Sequence, residues 1–295
     1  MHSFDLVKPD LIDVFPSEHD GYPEDLAKED VASAVWDACG DASRSFPSHL
    51  WVEHRDWGNV AALNDERKTW PIHFIDRFTN QRPTHECTCH ALRANAECTW
   101  NRQRRIVVGP PIAGRRLDVS AKSSSVWFSC LSVYAEANPR QWGGANTRGV
   151  LNIASRRGFI PDAIQPKQYN FKHTLTGTAG QGGINQSSGR WISLSNFPRQ
   201  WEETAAHFRP LEIILPTSVE QIVCLVLNSY AVSIGRNGHA ITYAIYNPIQ
   251  KLLGYVDSYD VVRWDTLATA ARGVNASYSI ATMTTPDDWD YPAGK

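Results

Sequence analysis

The sequence NQRPTHEC, residues 80–87, leads directly into the run TCHALRANAEC, residues 88–98. The first stretch has turn-forming chemistry, whereas the second carries small and apolar residues at helical spacing without glycine or proline. This change predicts a buried helix that begins close to Cys87. Because a helix N-terminus favours the thiolate, which is the reactive form of cysteine, Cys87 is a candidate nucleophile.

Gln81 stands six residues before Cys87. Acyl-transfer chemistry needs hydrogen-bond donors aimed at the oxyanion that develops on the substrate carbonyl. A glutamine side chain beside the backbone amide of the nucleophile supplies such donors. The spacing therefore adds Gln81 to the candidate catalytic residues.

Two later motifs, together with this spacing, resemble the papain-like cysteine peptidase family. GHA, residues 238–240, leads into an apolar strand as the histidine motif of the family does. DSY, residues 257–259, follows the next strand at the place of the family's Asn-Ser-Trp. The resemblance implies that His239 carries the proton and that Asp257 orients it.

A third motif, QWGG at residues 141–144, resembles the paired-glycine wall of the family's substrate groove. There, a bare backbone pairs with an extended peptide. The resemblance implies that Trp142, Gly143 and Gly144 bind substrate.

The chain departs from the family pattern beside the candidate catalytic residues. Thr88 and Tyr259 stand where the family has tryptophans, which shield the hydrogen bond of the catalytic histidine from water. Asp257 replaces the usual asparagine, and an aspartate holds an imidazole while favouring its protonated form. These departures leave a weakly active or inactive site as an alternative.

The order of elements predicts an α+β protein, because helices come first and antiparallel strands second. The predicted helices cover residues 126–137, 146–157 and 218–228, and the predicted strands cover 72–78, 231–234, 240–246 and 252–256. The resemblance implies a papain-like fold, in which an N-terminal helical half packs against a C-terminal antiparallel sheet or barrel half.

Domain boundaries follow from composition. Residues 1–70 are acidic, contain several prolines and form an N-terminal extension with one predicted helix, and residues 71–295 form the papain-like domain. Within that domain we expect a helical half over about 80–165 and a β half over about 210–285. Residues 161–200, rich in Gly, Gln, Ser and Asn, are predicted to be a long surface loop.

Charge and hydropathy exclude several classes of partner. The 29 basic and 31 acidic residues give a net charge of -2, so no general attraction to nucleic acid is expected. The N-terminus lacks the pattern of a signal peptide, and the longest apolar run, residues 222–227, is far shorter than the ~20 residues that span a bilayer. We therefore expect no membrane partner and a cytoplasmic or virion-associated location.

The six cysteines are unevenly spread, which fits a reducing compartment better than a disulfide framework. HECTCH, residues 85–90, also suggests a zinc site, but Cys87 and Cys89 are only two apart and a second cysteine pair is missing. Cys89 is the nearer rival nucleophile, although it points to another face of the predicted helix. We expect neither a metal nor another cofactor.

The sequence therefore predicts a thiol hydrolase that cleaves peptide or isopeptide bonds in a peptide or protein substrate. Two alternatives stay open. The first is an inactive papain-like module that serves as a structural component of a larger assembly such as a phage virion, joined to its partners through residues 1–70. The second is an amidase that acts on cell-wall peptides.

Overall fold

A computed structural model describes residues 46–75, 87–104, 145–161, 203–236, 238–259 and 261–284, with short pieces at 43–44, 128–129, 133, 184–185 and 190–191. The α-helices of these residues are α1 (Trp57–Arg67), α2 (Cys87–Gln103), α3 (Thr147–Arg157), α4 (Val219–Leu227) and α5 (Leu267–Ala271). The strands are β1 (Ser43–Arg44), β2 (Phe128–Ser129), β3 (Ile160–Pro161), β4 (Ile184–Asn185), β5 (Arg190–Trp191), β6 (Pro210–Ile214), β7 (Val232–Arg236), β8 (His239–Asn247), β9 (Leu252–Asp257), β10 (Val261–Thr266) and β11 (Ser277–Met283). The 3-10 helices are Ser48–Leu50, His54–Asp56, Pro71–Phe74 and Val274–Ala276.

The described strands form one large sheet of seven strands in the order β1-β6-β11-β7-β8-β9-β10. β1 joins β6 in parallel, and the other pairings in this sheet are antiparallel. Helices and an antiparallel sheet thus occur together, which confirms the predicted α+β class. β4 and β5 pair with each other inside the region predicted to be a long loop, so that region contains local strand structure.

Helix α2 is fastened to the sheet by buried hydrogen bonds. Asn95 donates from its side-chain nitrogen to Ser233 Oγ (3.0 Å), and the backbone amide of Ile280 donates to Asn95 Oδ1 (3.1 Å). The hydroxyls of Ser233 and Thr242 both donate to the backbone oxygen of Ala91, at 3.0 and 2.9 Å. Because buried polar groups need partners, these bonds fix the rotation and height of α2 against β7, β8 and β11. They therefore fix the place of Cys87, one turn before Ala91.

Helices α3 and α4, each of which begins with a polar cap, were predicted correctly. Asn146 caps α3 by accepting from the backbone amides of its first turn, and Ser218 caps α4 in the same way. Gly158 ends α3 with φ 84°, and a Cβ at this position would meet the backbone oxygen of Ala205. This close approach requires glycine.

One secondary-structure prediction is wrong, and a second, the helix over 126–137, is wrong in part, because Val133 is helical but Phe128–Ser129 are not. Pro71–Phe74 form a 3-10 helix rather than part of a strand, because Pro71 at the first helical position has the φ that a helix needs. The helix predicted over 126–137 fails at Phe128–Ser129, which pair with β3 instead. There the backbone amide of Phe128 donates to the buried carboxylate of Glu97 in α2.

Residues 46–75 pack onto α4 and β8. Trp57 is buried and meets Tyr246 edge to face at 5.6 Å, and the Asn64 side chain donates to the backbone oxygen of Leu227 at 2.8 Å. Helix α1 was not predicted. Its buried face consists of Trp57, Ala61 and Asn64, and the polar Asn64 breaks the apolar pattern that indicates a helix. The boundary at residue 70 and the helix of the N-terminal extension stay predictions, and that helix lies outside the described residues.

None of the helices in the described part of the chain combines the length and the apolar character that a bilayer-spanning segment requires.

Candidate active site

Cys87 is the first residue of α2, where the prediction placed it. Its side chain is fully buried and packs with Ala91, one turn along the same helix, and with Ala240 in β8. The contact with Ala240 brings the thiol beside the start of β8. The thiol therefore lies where the N-terminus of a helix meets the first residue of a strand.

His239 is that first residue of β8. Gly238 precedes it with φ 73°, the left-handed backbone that a tight hairpin between β7 and β8 requires. His239 Nε2 lies 2.9 Å from Oδ1 of Asp257, the last residue of the neighbouring strand β9. Antiparallel pairing brings the start of β8 to the end of β9, and this brings together two residues that are 18 apart in the chain.

Cys87 is also near enough to the His239 ring to raise its pKa. Since Asp257 engages Nε2, an exchange of a proton between the ring and the thiol would use Nδ1. Burial lowers the pKa of His239, but the hydrogen bonds and charges of Asp257 and Cys87 outweigh burial and raise that pKa to about 10. At neutral pH the site therefore holds an imidazolium between Cys87 and Asp257.

The second oxygen of Asp257 has a partner that the sequence did not reveal. Arg263 Nε in β10 lies 3.2 Å from Asp257 Oδ2, and the Arg263 side chain is 33% exposed while the carboxylate is fully buried. The sequence gives no signal of fixed spacing for this contact. Only the register of β10 against β9, in which Arg263 lies opposite Tyr255, brings the guanidinium to the site.

Tyr259 covers one face of the His239 ring. The two rings are stacked with centroids 5.5 Å apart and planes inclined by 11°. The sequence indicated a loss of shielding where the family's tryptophan is replaced by Tyr259. An aromatic ring is nevertheless present at this position, and it is stacked nearly parallel to the imidazole.

The remaining cysteines in the described residues have structural surroundings. Cys89 packs in a second buried cluster with Leu92 and Tyr278, away from the Cys87 cluster. Burial raises the pKa of Cys98 to about 12 and also raises the pKa of Cys224. Within the described part of the chain, no group of three or more His, Cys, Asp or Glu side chains could hold a metal ion.

Four residues with predicted roles lie outside the described residues, namely Gln81, Trp142, Gly143 and Gly144. Their roles as oxyanion donor and substrate-binding residues stay predictions. The structure brings together Cys87, His239 and Asp257, and it adds Arg263 and Tyr259.

Comparisons with known proteins find little similarity. No family model matches the chain, and no match was found among curated proteins. A crystal structure of xylellain, a cysteine protease from Xylella fastidiosa, is similar with a TM-score of 0.48 and 11% sequence identity, over 70% of this chain and 82% of that chain. A similarity this weak does not indicate the function, so the function must be inferred from the side chains of the site.

Proposed function

We propose that the protein is a papain-like cysteine hydrolase that cleaves peptide or isopeptide bonds. The observation that supports this function best is the buried His239 ring, which lies 2.9 Å from Asp257 and whose pKa is raised by both Asp257 and Cys87. A nucleophile next to a base that a third group orients is the arrangement expected of nucleophilic catalysis.

A buried imidazolium is costly unless opposite charges compensate it. Here its pKa is raised to about 10 despite burial, so the surroundings favour the charged ring. A cysteine kept only for packing has no use for such a neighbour.

The reaction proceeds in two halves. The Cys87 thiolate attacks the carbonyl carbon of the scissile bond, and the His239 imidazolium donates its proton to the leaving amine, which leaves a thioester on Cys87. The neutral His239 then takes a proton from water as the water attacks the thioester, and the Cys87 thiolate departs while the ring is protonated again. Asp257 holds the ring in orientation throughout.

The predicted roles of the other residues complete the proposal. Gln81 and the backbone amide of Cys87 donate to the oxyanion in both halves of the reaction. The substrate lies extended along Trp142, Gly143 and Gly144.

The test is the alkylation of Cys87 by iodoacetamide, a probe small enough for a buried thiol, at about pH 6, where an ordinary thiol is almost wholly protonated. Peptide mass spectrometry follows the rate at Cys87 in the wild type, in His239→Ala and in the matched control Cys98→Ala, and Cys87→Ala gives the background labelling of the other thiols. We expect Cys87 to react at least about tenfold faster than glutathione, and His239→Ala to abolish this advantage. A wild-type rate no higher than that of glutathione would refute the proposal and favour the inactive module.

A further inference from the structure

We propose that Arg263 is a positioning residue of this site. Its guanidinium holds Oδ2 of Asp257, so that Oδ1 stays fixed on His239 and the imidazole stays turned toward Cys87. The inference rests on the proposed function, and it assigns to β10 a part in the reaction that no sequence motif indicates.

The geometry comes from three adjacent strands. Asp257 and Tyr255 lie on the same face of β9, because side chains alternate along a strand. Arg263 lies opposite Tyr255 on β10, and from there its Nε reaches Asp257 Oδ2 at 3.2 Å. His239, on the other side of β9, takes Oδ1 at 2.9 Å. Each oxygen of the carboxylate thus has its own cationic partner, and the two partners come from opposite sides.

Arg263 also explains why an aspartate stands at this position. A buried carboxylate presents a negatively charged oxygen on each side, so Oδ1 meets His239 and Oδ2 forms an ion pair with Arg263. An asparagine has one oxygen and one NH₂ group, and the NH₂ group would face the N–H donors of either partner. Asp257 and Arg263 therefore work as a unit, and an asparagine at position 257 would be incompatible with Arg263.

The neighbouring charged groups pair with one another, so Arg263 is the guanidinium that pairs with Asp257. Arg236 is a second guanidinium on this part of the sheet, and it pairs with Asp265 while lying 5.4 Å from the Tyr255 ring. Asp265 also accepts a hydrogen bond from the Tyr243 hydroxyl at 2.7 Å. Among the described residues, the ionisable groups around Asp257 include His239 from β8, Arg263 from β10, Tyr255 on its own strand and this second ion pair, and Cys87 acts on His239 in turn.

The test is a double-mutant cycle on the rate of iodoacetamide alkylation of Cys87 at about pH 7. Arg263→Gln is expected to lower the rate about fivefold, the upper end of what a partly exposed ion pair contributes. Arg263→Lys restores most of this loss, and the exposed control Arg272→Gln leaves the rate unchanged. In an Asp257→Asn background, Arg263→Gln no longer lowers the rate. An equal loss in both backgrounds would overturn the proposal, because Arg263 would then act on something other than the carboxylate.

A second measurement does not depend on thiol reactivity. In protein with ¹⁵N-labelled histidine, the Nε2 proton of His239 held by Asp257 gives a low-field resonance that is absent from Asp257→Ala. We expect Arg263→Gln to broaden or remove this resonance and Arg263→Lys to keep it. If the resonance is as sharp in Arg263→Gln as in the wild type, Arg263 has no positioning role. If wild-type Cys87 reacts no faster than glutathione, the proposed hydrolase fails, and this resonance alone decides the role of Arg263.

Discussion

At the scale of single residues, His239 is the group on which the site depends. It is buried, it lies 2.9 Å from the Asp257 carboxylate, its pKa is raised by Asp257 and Cys87, and the Tyr259 ring is stacked nearly parallel to it. The ring is thereby held in one orientation and kept charged. The following two predictions concern this residue.

The raised pKa of His239 determines how stability depends on pH. Its ordinary pKa is 6.5 and its pKa in the folded protein is about 10, so its contribution to stability is fully present below about pH 6.5 and is lost as the pH rises through about 10. We expect the His239 Cε1 proton to keep its chemical shift from about pH 5 to about pH 8 in an NMR titration and to titrate near pH 10. In Asp257→Ala the midpoint moves down, whereas a wild-type midpoint near 6.5 would show that the ring lacks these partners.

The stacked ring of Tyr259 protects the imidazole from water. Tyr259→Ala is expected to slow alkylation of Cys87 about two- to tenfold, the range that an aromatic contact of about 0.5–1.5 kcal/mol supports. Tyr259→Phe keeps the stack and serves as the matched control, and Tyr259→Trp tests the family's residue. Equal rates for Tyr259→Ala and Tyr259→Phe would show that the stack has no part in the reactivity.

At the scale of elements, the position of α2 against the sheet determines where the thiol lies. Asn95 accepts from Ile280 of β11 and donates to Ser233 of β7, so it connects the helix to two strands. These bonds lie within the described core, and they act on Cys87 through the rigid helix.

Asn95→Ala leaves the buried amide of Ile280 without its partner. We expect the free energy of unfolding to fall by about 1–3 kcal/mol, which is the cost of an unsatisfied buried donor. Urea denaturation measures the change, and Asn275→Ala, at an exposed position, is the control that should stay within about 0.5 kcal/mol. Equal stability of the two variants would show that Asn95 does not fasten the helix.

The sequence predicted those elements whose signals are local. The start of α2 at Cys87, the capped helices α3 and α4, and the strands that begin at His239 and end at Asp257 all carry their own motifs. Arg263 and Asn95 could not be found in this way, because their partners depend on strand register and on helix packing between residues far apart in the chain.

At the scale of the whole molecule, residues 46–75 share the core of the sheet. Trp57 and Trp70 are buried with side chains of α4 and β8, whereas Trp51 is 46% exposed. A segment buried in this way should unfold together with the sheet.

Trp57→Ala removes a large buried ring that meets Tyr246. We expect a loss of about 3–5 kcal/mol in the free energy of unfolding, with one cooperative transition that includes the sheet. Trp51→Ala is the matched control, because its ring is half exposed, and it should cost far less. A small effect of Trp57→Ala, or a separate early transition, would show that this segment is not part of the core.

The central claim is that Cys87 carries out acyl transfer with the help of His239. The most direct test is to mix the protein with an activated peptide ester and to stop the reaction with acid within one turnover. Intact and peptide mass spectrometry then locate the acyl group. We expect a thioester on Cys87 in the wild type that is absent from Cys87→Ala and strongly reduced in His239→Ala. Absence of an acyl group on Cys87, or equal acylation with and without His239, would contradict the account.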